Sequence, residues 1–261
     1  MTFADRYRRL ASYAGADSDP GDPGQVLAMP VVLRIEKNEP PERASLLAAA
    51  ATAVAQLCLD PRTDPTPDPD AAGGDPTGED RRAGTQPGPW AQALDDWCDA
   101  RIRKIARRAR GAQWDAAGEV DGVTAEVGGA RARAIVPGPV GAVDKRIARL
   151  QIGGTDVPGE LEGADGRGDG AVSLWVNPDL EMTTGKLAAQ VGHGSMLAVK
   201  LMTLDAARDW YDRGCPCRVR QTDAVRWQAL LYAEASQGSV AVRDAGFTEI
   251  APGSVTVIAT L

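Results

Sequence analysis

Gly185-Lys186-Leu187-Ala188-Ala189-Gln190-Val191-Gly192-His193-Gly194 is the stretch whose reading decides the fold. It follows a strand-like run, Ala171 to Val176, and no proline interrupts the chain between Gly185 and Pro216, so it predicts the start of a helix. At about 3.6 residues per turn, Lys186, Gln190 and His193 share one helix face. That face stacks a cation, an amide and the only histidine of the 261 residues. The small residues Ala188, Ala189, Gly192 and Gly194 let the same helix lie close to a sheet.

Outward from this helix, the second half predicts a strand at 171–176, helices at 184–203 and 204–213, a strand at 217–222, a helix at 224–235, and strands at 239–243 and 254–260. The first half predicts a similar order: a strand at 30–36, an Ala-rich helix at 41–59, a helix from Trp90 to about Arg110, strand material at 123–136 and a short helix at 143–150. Local sequence recurs too. Trp97 precedes Trp114 by 17 residues, as Trp210 precedes Trp227. Leu33-Arg34-Ile35 echoes Leu174-Trp175-Val176, and Ile135-Val136-Pro137-Gly138 echoes Ile250-Ala251-Pro252-Gly253. From strand to tryptophan the first half is longer by 28 residues (64 against 36), close to the length of segment 60–89. That segment is rich in Pro, Gly and Asp with few large apolar side chains, and predicts a disordered insertion.

The expected fold class is therefore α/β: a mixed β-sheet with helices on both faces, in two similar halves packed as a pseudo-dimer. The expected boundaries are a flexible N-terminal segment 1–29, a first half 30–152 carrying the insertion 60–89, a Gly/Asp-rich linker 153–170, and a second half 171–261. Aligning the halves sets Ser45 against Lys186, Ala49 against Gln190, Thr52 against His193, Gly129 against Asp244 and Arg133 against Thr248. On that alignment the first half is a scaffold without chemistry of its own.

Composition narrows the function classes. No run of 18 apolar residues exists, and Met1 to Arg6 has no apolar run behind its charges, so neither a membrane span nor a secretory signal is expected and the location expected is cytoplasmic. Cys58, Cys98, Cys215 and Cys217 are too scattered, beside one histidine, for a zinc site; reduced thiols and no metal are expected. The net charge of −7 opposes general nucleic-acid binding. Much of the acid, however, lies in the insertion (Asp60, Asp64, Asp68, Asp70, Asp75, Glu79, Asp80), whereas basic residues concentrate at 101–110. Arg103, Arg107 and Arg110, read on a helix, become candidate RNA contacts.

A second motif follows the first: Arg243-Asp244-Ala245-Gly246-Phe247-Thr248-Glu249-Ile250-Ala251-Pro252-Gly253-Ser254-Val255-Thr256. The two together resemble the archaeal and eukaryotic class of peptidyl-tRNA hydrolases, over residues 171–261. The resemblance implies cleavage of the ester joining peptide to tRNA, with tRNA as partner, no metal or cofactor, and a site lined by Lys186, His193, Asp244 and Thr248. Such chemistry needs a positioned water, a group to take its proton and donors to the developing oxyanion. Asp244 at a strand end suits the first task, Lys186 the last, His193 a proton relay, and Thr248 a further hydrogen bond. Gln190 and Thr256 join as substrate contacts. Pairing within one chain leaves further oligomerisation open.

Three positions depart from the family: Asn177, Glu181 and Thr184 stand where basic residues are usual, which should weaken attraction for a phosphate backbone. Two other readings therefore stay open. One is a catalytically weakened RNA- or protein-binding module that kept the hydrolase fold. The other is a hydrolase of the same mechanism acting on a different acyl ester or amide.

Overall fold

In the computed structural model, which describes residues 3–15, 20–64, 87–163, 170–244 and 250–261, the first half runs α1 (Phe3–Ala11), β1 (Leu27–Arg34), α2 (Arg43–Leu59), α3 (Ala91–Cys98), β2 (Arg103–Ala109), α4 (Ala112–Gly118), β3 (Gly122–Val127), β4 (Ala130–Ile135), β5 (Gly138–Pro139) and α5 (Lys145–Ala148). The second runs β6 (Val172–Val176), α6 (Thr184–Leu197), α7 (Leu204–Asp212), β7 (Cys217–Arg220), α8 (Ala224–Glu234), β8 (Val240–Arg243) and β9 (Val255–Thr260). The sheets are ordered β2-β1-β4-β3, with β5 beside β1, and β7-β6-β9-β8. In each, the opening strand pairs in parallel with the strand after two helices and antiparallel with the closing strand. A parallel pair needs a crossover, and α2-α3 and α6-α7 supply it. One strand order thus occurs twice, as the α/β expectation with two similar halves requires.

The core lies between the sheets, where α2 and α6 pack on each other. Ala-rich α2 is apolar almost all round and nearly every residue is buried, as befits a helix covered on all sides. Glycines bring α6 close to its neighbours. A Cβ at Gly194 would stand 2.8 Å from Leu174 on β6, and one at Gly192 would stand 3.0 Å from Val54 on α2. Outside the sheets, α4 and α5 cover the first through Trp114 and Ile147, and α8 covers the second through Trp227. Helices therefore lie on both faces of each sheet.

Two local features fix which residues correspond. Trp97 Nε1 donates to Arg103 O at 3.0 Å, and Trp210 Nε1 donates to Pro216 O at 3.0 Å, each six residues on. Ile102 (φ 36°) and Cys215 (φ 52°), each five residues after its tryptophan, adopt the left-handed conformation that side chains disfavour. Two such strained residues at one equivalent position argue for one design used twice.

Several expectations are corrected. Residues 1–29 are not merely a flexible tail: α1 buries Phe3, Arg6 and Leu10, and Arg6 donates to Leu59 O at the end of α2. The expected helix 90–110 is α3 followed by a strand, so the basic stretch is β2. The expected insertion 60–89 has ordered ends. A helical turn spans Pro61–Thr63, Thr63 is buried, and Trp90 N donates to Arg62 O at 2.8 Å; residues 65–86 lie outside the described residues. The linker 153–170 is partly built in, with Thr155 and Val157 buried, and its residues 164–169 lie outside the described set.

Strand registers also move the alignment. Val31 faces Ala106 and Ala134 as Leu174 faces Val219 and Ala259, so Val31, not Leu33, matches Leu174. Val123 pairs with Ala134 as Val240 pairs with Ala259, so counting along the strand, across the register shift between Val242 and Arg243, brings Val127, not Gly129, level with Asp244. Ile135 ends β4 whereas Ile250 precedes β9, so that sequence echo has no structural counterpart. Nor does Arg133 match Thr248, because the first-half hairpin turns through Gly128 and Gly129 alone.

Candidate active site

The face of α6 that carries Lys186, Gln190 and His193 lines a cleft of about 1080 Å³. Both halves build it. β8 contributes Val240 to Asp244, β2 contributes Arg103 to Ala106, and Tyr13, Pro23, Ile152 and Thr155 close the sides. Helix α6 is placed by its first turn. Thr183 caps it, accepting from Lys186 N at 3.2 Å, and Thr184 Oγ1 accepts from Val157 N at 3.0 Å while donating to Asp156 Oδ1 at 3.0 Å.

One turn further into the cleft stands an ordered polar chain. Lys186 Nζ lies 2.6 Å from Asp244 Oδ1, and Gln190 Nε2 donates to the same oxygen at 3.0 Å. Thr256 Oγ1 in turn donates to Gln190 Oε1 at 2.7 Å. The amide of Gln190 is thereby oriented, with its nitrogen toward the carboxylate. Asp244 sits just past the end of β8, where Asp244 N donates to Ser254 O and Gly253 N to Asp244 O. A cation and an amide donor thus hold a carboxylate at the wall of a cleft, an arrangement able to orient a water and to meet developing negative charge.

About 10 Å along the helix from Lys186, His193 Nδ1 lies 3.0 Å from Lys104 Nζ of β2. Lys104 is buried, 3.3 Å from Met196 Sδ and 4.7 Å from the Trp97 ring centroid. Burial pushes its ammonium down to about 7, with the Cys58 and Cys98 thiols acting weakly the other way. Burial, then Lys104 and Lys186, hold the His193 imidazolium well below its ordinary range, so the ring is neutral at neutral pH.

The residues expected from sequence divide accordingly. Lys186, Gln190 and Asp244 are joined by hydrogen bonds, and His193 shares their helix face. Thr248 lies outside the described residues. Thr256 is wholly buried and reaches the site only through Gln190, so it supports the site and cannot contact substrate. Of the arginines, Arg103 lines the cleft. Arg107 donates to Ala148 O and Leu150 O at 3.1 and 2.8 Å, which ties β2 to the end of α5, and exposed Arg110 lies past the far end of the strand. They form no common face. Of the three departures, Thr184 is buried in the α6 cap and so offers no surface to phosphate, Asn177 is half-buried and donates to Val255 O at 2.7 Å, and Glu181 is exposed. Lys104 was not among the sequence candidates. Among the described residues no group of three His, Cys, Asp or Glu side chains is placed to hold a metal ion, and no helix is long and apolar enough to cross a membrane.

The second half, which carries Lys186, Gln190, His193 and Asp244, is similar to known proteins. The family model described as "Peptidyl-tRNA hydrolase PTH2" matches residues 171–261. A peptidyl-tRNA hydrolase of Haloquadratum walsbyi is 38% identical over 84 residues, covering 31% of this chain and 75% of that protein. One of Thermococcus sibiricus is 34% identical over 90 residues, 32% of this chain and 76% of that protein. A probable peptidyl-tRNA hydrolase 2 of Schizosaccharomyces pombe is 36% identical over 91 residues, 33% of this chain and 44% of that one. With about three quarters of each of the two archaeal relatives covered above 30% identity, this chain belongs, through residues 171–261, to the PTH2 family of peptidyl-tRNA hydrolases.

Proposed function

We propose that the protein hydrolyses the ester of peptidyl-tRNA in the cytoplasm, releasing peptide and free tRNA, with residues 171–261 as the hydrolase domain and residues 30–152 as its degenerate counterpart in a pseudo-dimer. The observation that carries the reading is the Lys186–Asp244 contact of 2.6 Å on the cleft wall, locked by Gln190. A water held by Asp244 attacks the acyl carbonyl carbon and passes a proton to the carboxylate. Lys186 meets the oxyanion of the tetrahedral intermediate. The bond to the ribose oxygen then breaks, and that oxygen takes a proton relayed through His193 or water. Thr248 completes the hydrogen-bond set. The tRNA backbone runs along the cleft rim, where the first half contributes Arg101 and Arg103.

The deciding assay is incubation of purified protein with N-blocked aminoacyl-tRNA at low and moderate salt, with release of free tRNA measured. Turnover that falls with rising salt is expected, since phosphate contacts release counterions. Binding of the tRNA without cleavage would instead identify a silent module that kept the fold.

A further inference from the structure

We propose that Lys104, reaching across from the first half, is a positioning residue for His193, locking the imidazole in the tautomer that carries its proton on Nε2 and making the site a joint product of both halves. The catalytic part of this inference rests on the hydrolase reading; the tautomer part does not.

An ammonium has three donors and no acceptor. Below about pH 7, where Lys104 is an ammonium, the 3.0 Å contact between Lys104 Nζ and His193 Nδ1 makes that nitrogen the acceptor, and the ring's one proton belongs on Nε2. The Nε2–H is then the remaining donor of a side chain that lines the cleft. The groups facing Lys104 are His193 and Met196 from α6, Trp97 and Cys98 from α3, and Cys58 from α2. None of these is a carboxylate. Burial raises both thiols, Cys58 to about 11, so they stay neutral. Lys186 acts on His193 from the same helix, and Arg9 acts on the two thiols from α1. Below about pH 7 Lys104 is therefore a desolvated cation, and among the described residues its shortest polar contact is to the histidine nitrogen. A sequence that needed only packing here would not place a lysine at a buried strand position, whose desolvation cost hydrophobic residues avoid. Gly192 makes room for it: a Cβ there would stand 3.2 Å from Lys104 Cδ.

His193 is the chain's only histidine, so ¹⁵N-histidine labelling of the full chain gives one set of ring signals. Long-range ¹H–¹⁵N spectra from pH 5 to 7, where Lys104 is charged, should show the Nε2–H tautomer, with imidazolium forming only well below the ordinary range. Lys104→Met keeps the stem beside Met196 and Trp97 but removes the donor. It should mix the tautomers and move the titration upward by roughly half a pH unit or more. Lys104→Gln removes the charge but carries both a donor and an acceptor, so the titration should still move upward. If Lys104→Met leaves tautomer and titration as in the wild type, the proposal is overturned; should that variant not fold, an unmoved titration in Lys104→Gln overturns it. On N-blocked aminoacyl-tRNA, Lys104→Met should lower kcat by about 10- to 100-fold with KM little changed. Altered spectra with unaltered kcat would overturn the catalytic part. A wild-type chain with no turnover at all would overturn the hydrolase reading while the spectra still decide the tautomer.

Discussion

Carried from one half onto the other, the pair His193–Lys104 falls on Thr52 and Cys217. Thr52 Oγ1 and Cys217 Sγ both donate to Cys215 O, at 3.2 and 3.4 Å, on the opposite side of the same helix seam. The neighbouring contacts repeat the relation: Gly192 lies against Val54, and Ser195 Oγ donates to Ala51 O at 2.8 Å. One packing scheme thus carries an imidazole and an amine at one end and a hydroxyl and a thiol at the other. The difference extends beyond substitution. Where Asp244 leads into a ten-residue connection to Val255, its counterpart Val127 leads into the two-residue turn Gly128-Gly129. Ser45, at the place of Lys186, donates to Glu42 Oε2 of its own helix start. The first half lacks the loop and the charges of a site of its own. It is nonetheless no inert scaffold, because its β2 supplies Lys104 and Arg103 to the other half's cleft.

The strongest way to break this contrast is to mutate both members of each matched pair. Asp244→Asn keeps shape but removes the proton acceptor, and should lower kcat by about 10²–10⁴. Lys186→Ala removes the cation 2.6 Å from that carboxylate and should cost a comparable factor. Ser45→Ala and Val127→Ala should leave turnover close to wild type, with unfolding curves confirming intact folds. Full activity in both second-half variants would mean that other residues carry the chemistry.

A second comparison asks for sameness. Trp97 and Trp210 are both fully buried and make the same bond six residues on. Trp97→Ala and Trp210→Ala should each destabilise by about 3–5 kcal/mol in urea unfolding. Values far apart would show that the two halves share a topology but not a packing role for their tryptophans.

Legibility followed burial pattern. The second half was readable because α6 and its strands obey ordinary periodicity, and because Lys186, Gln190 and His193 fall on one helix face. The stretch Ile102-Arg103-Lys104-Ile105-Ala106 was misread as helix for a physical reason. Strand β2 buries positions 104, 106 and 109, with Ile102 buried just before it, and the lysine hides the alternation that would announce it. The residue that concealed the strand is the one that reaches His193. Thr155 and Asp156, in a Gly-rich segment read as linker, were also missed: local composition says nothing of a tertiary bond to the start of α6. The two-residue shift between Leu33 and Val31 arose because both are apolar residues of a strand buried on both faces, so only pairing distinguishes them.

The buried cation gives a pH signature that separates the halves. Lys104 has an ordinary value of 10.5 and is pushed down to about 7 in the folded chain by burial. Between these values the unfolded chain binds more protons, so stability rises with pH, by up to about 1.4 kcal/mol per unit. Above about 8.5 the thiols of the unfolded chain begin to ionise, whereas burial raises Cys58 and Cys98 in the folded one, and the trend is opposed. Urea midpoints measured from pH 7 to 8.5 should therefore climb in the wild type and flatten in Lys104→Met. At the opposite end of the seam, Thr52→Val should leave the slope unchanged. A wild-type profile already flat would show that Lys104 is hydrated in solution.

The smallest effect concerns the arginines, where the structure replaces a shared surface by three separate positions. A helix bearing Arg103, Arg107 and Arg110 on one face would contact phosphate three times, and a triple change to Gln would lower the slope of log affinity against log salt by about three units. On strand β2 only Arg103 lines the cleft, while Arg107 is occupied with the carbonyls of Ala148 and Leu150. Arg103→Gln alone should therefore reduce the slope for tRNA by about one unit, and Arg110→Gln should leave it unchanged. Arg107→Gln should leave the slope alone too, yet lower stability by about 1 kcal/mol through the lost bonds to α5. If all three changes reduce the slope equally, RNA runs along the length of β2 and the first half offers a continuous surface; if only Arg103 does, its electrostatic contribution is confined to the cleft it shares with the second.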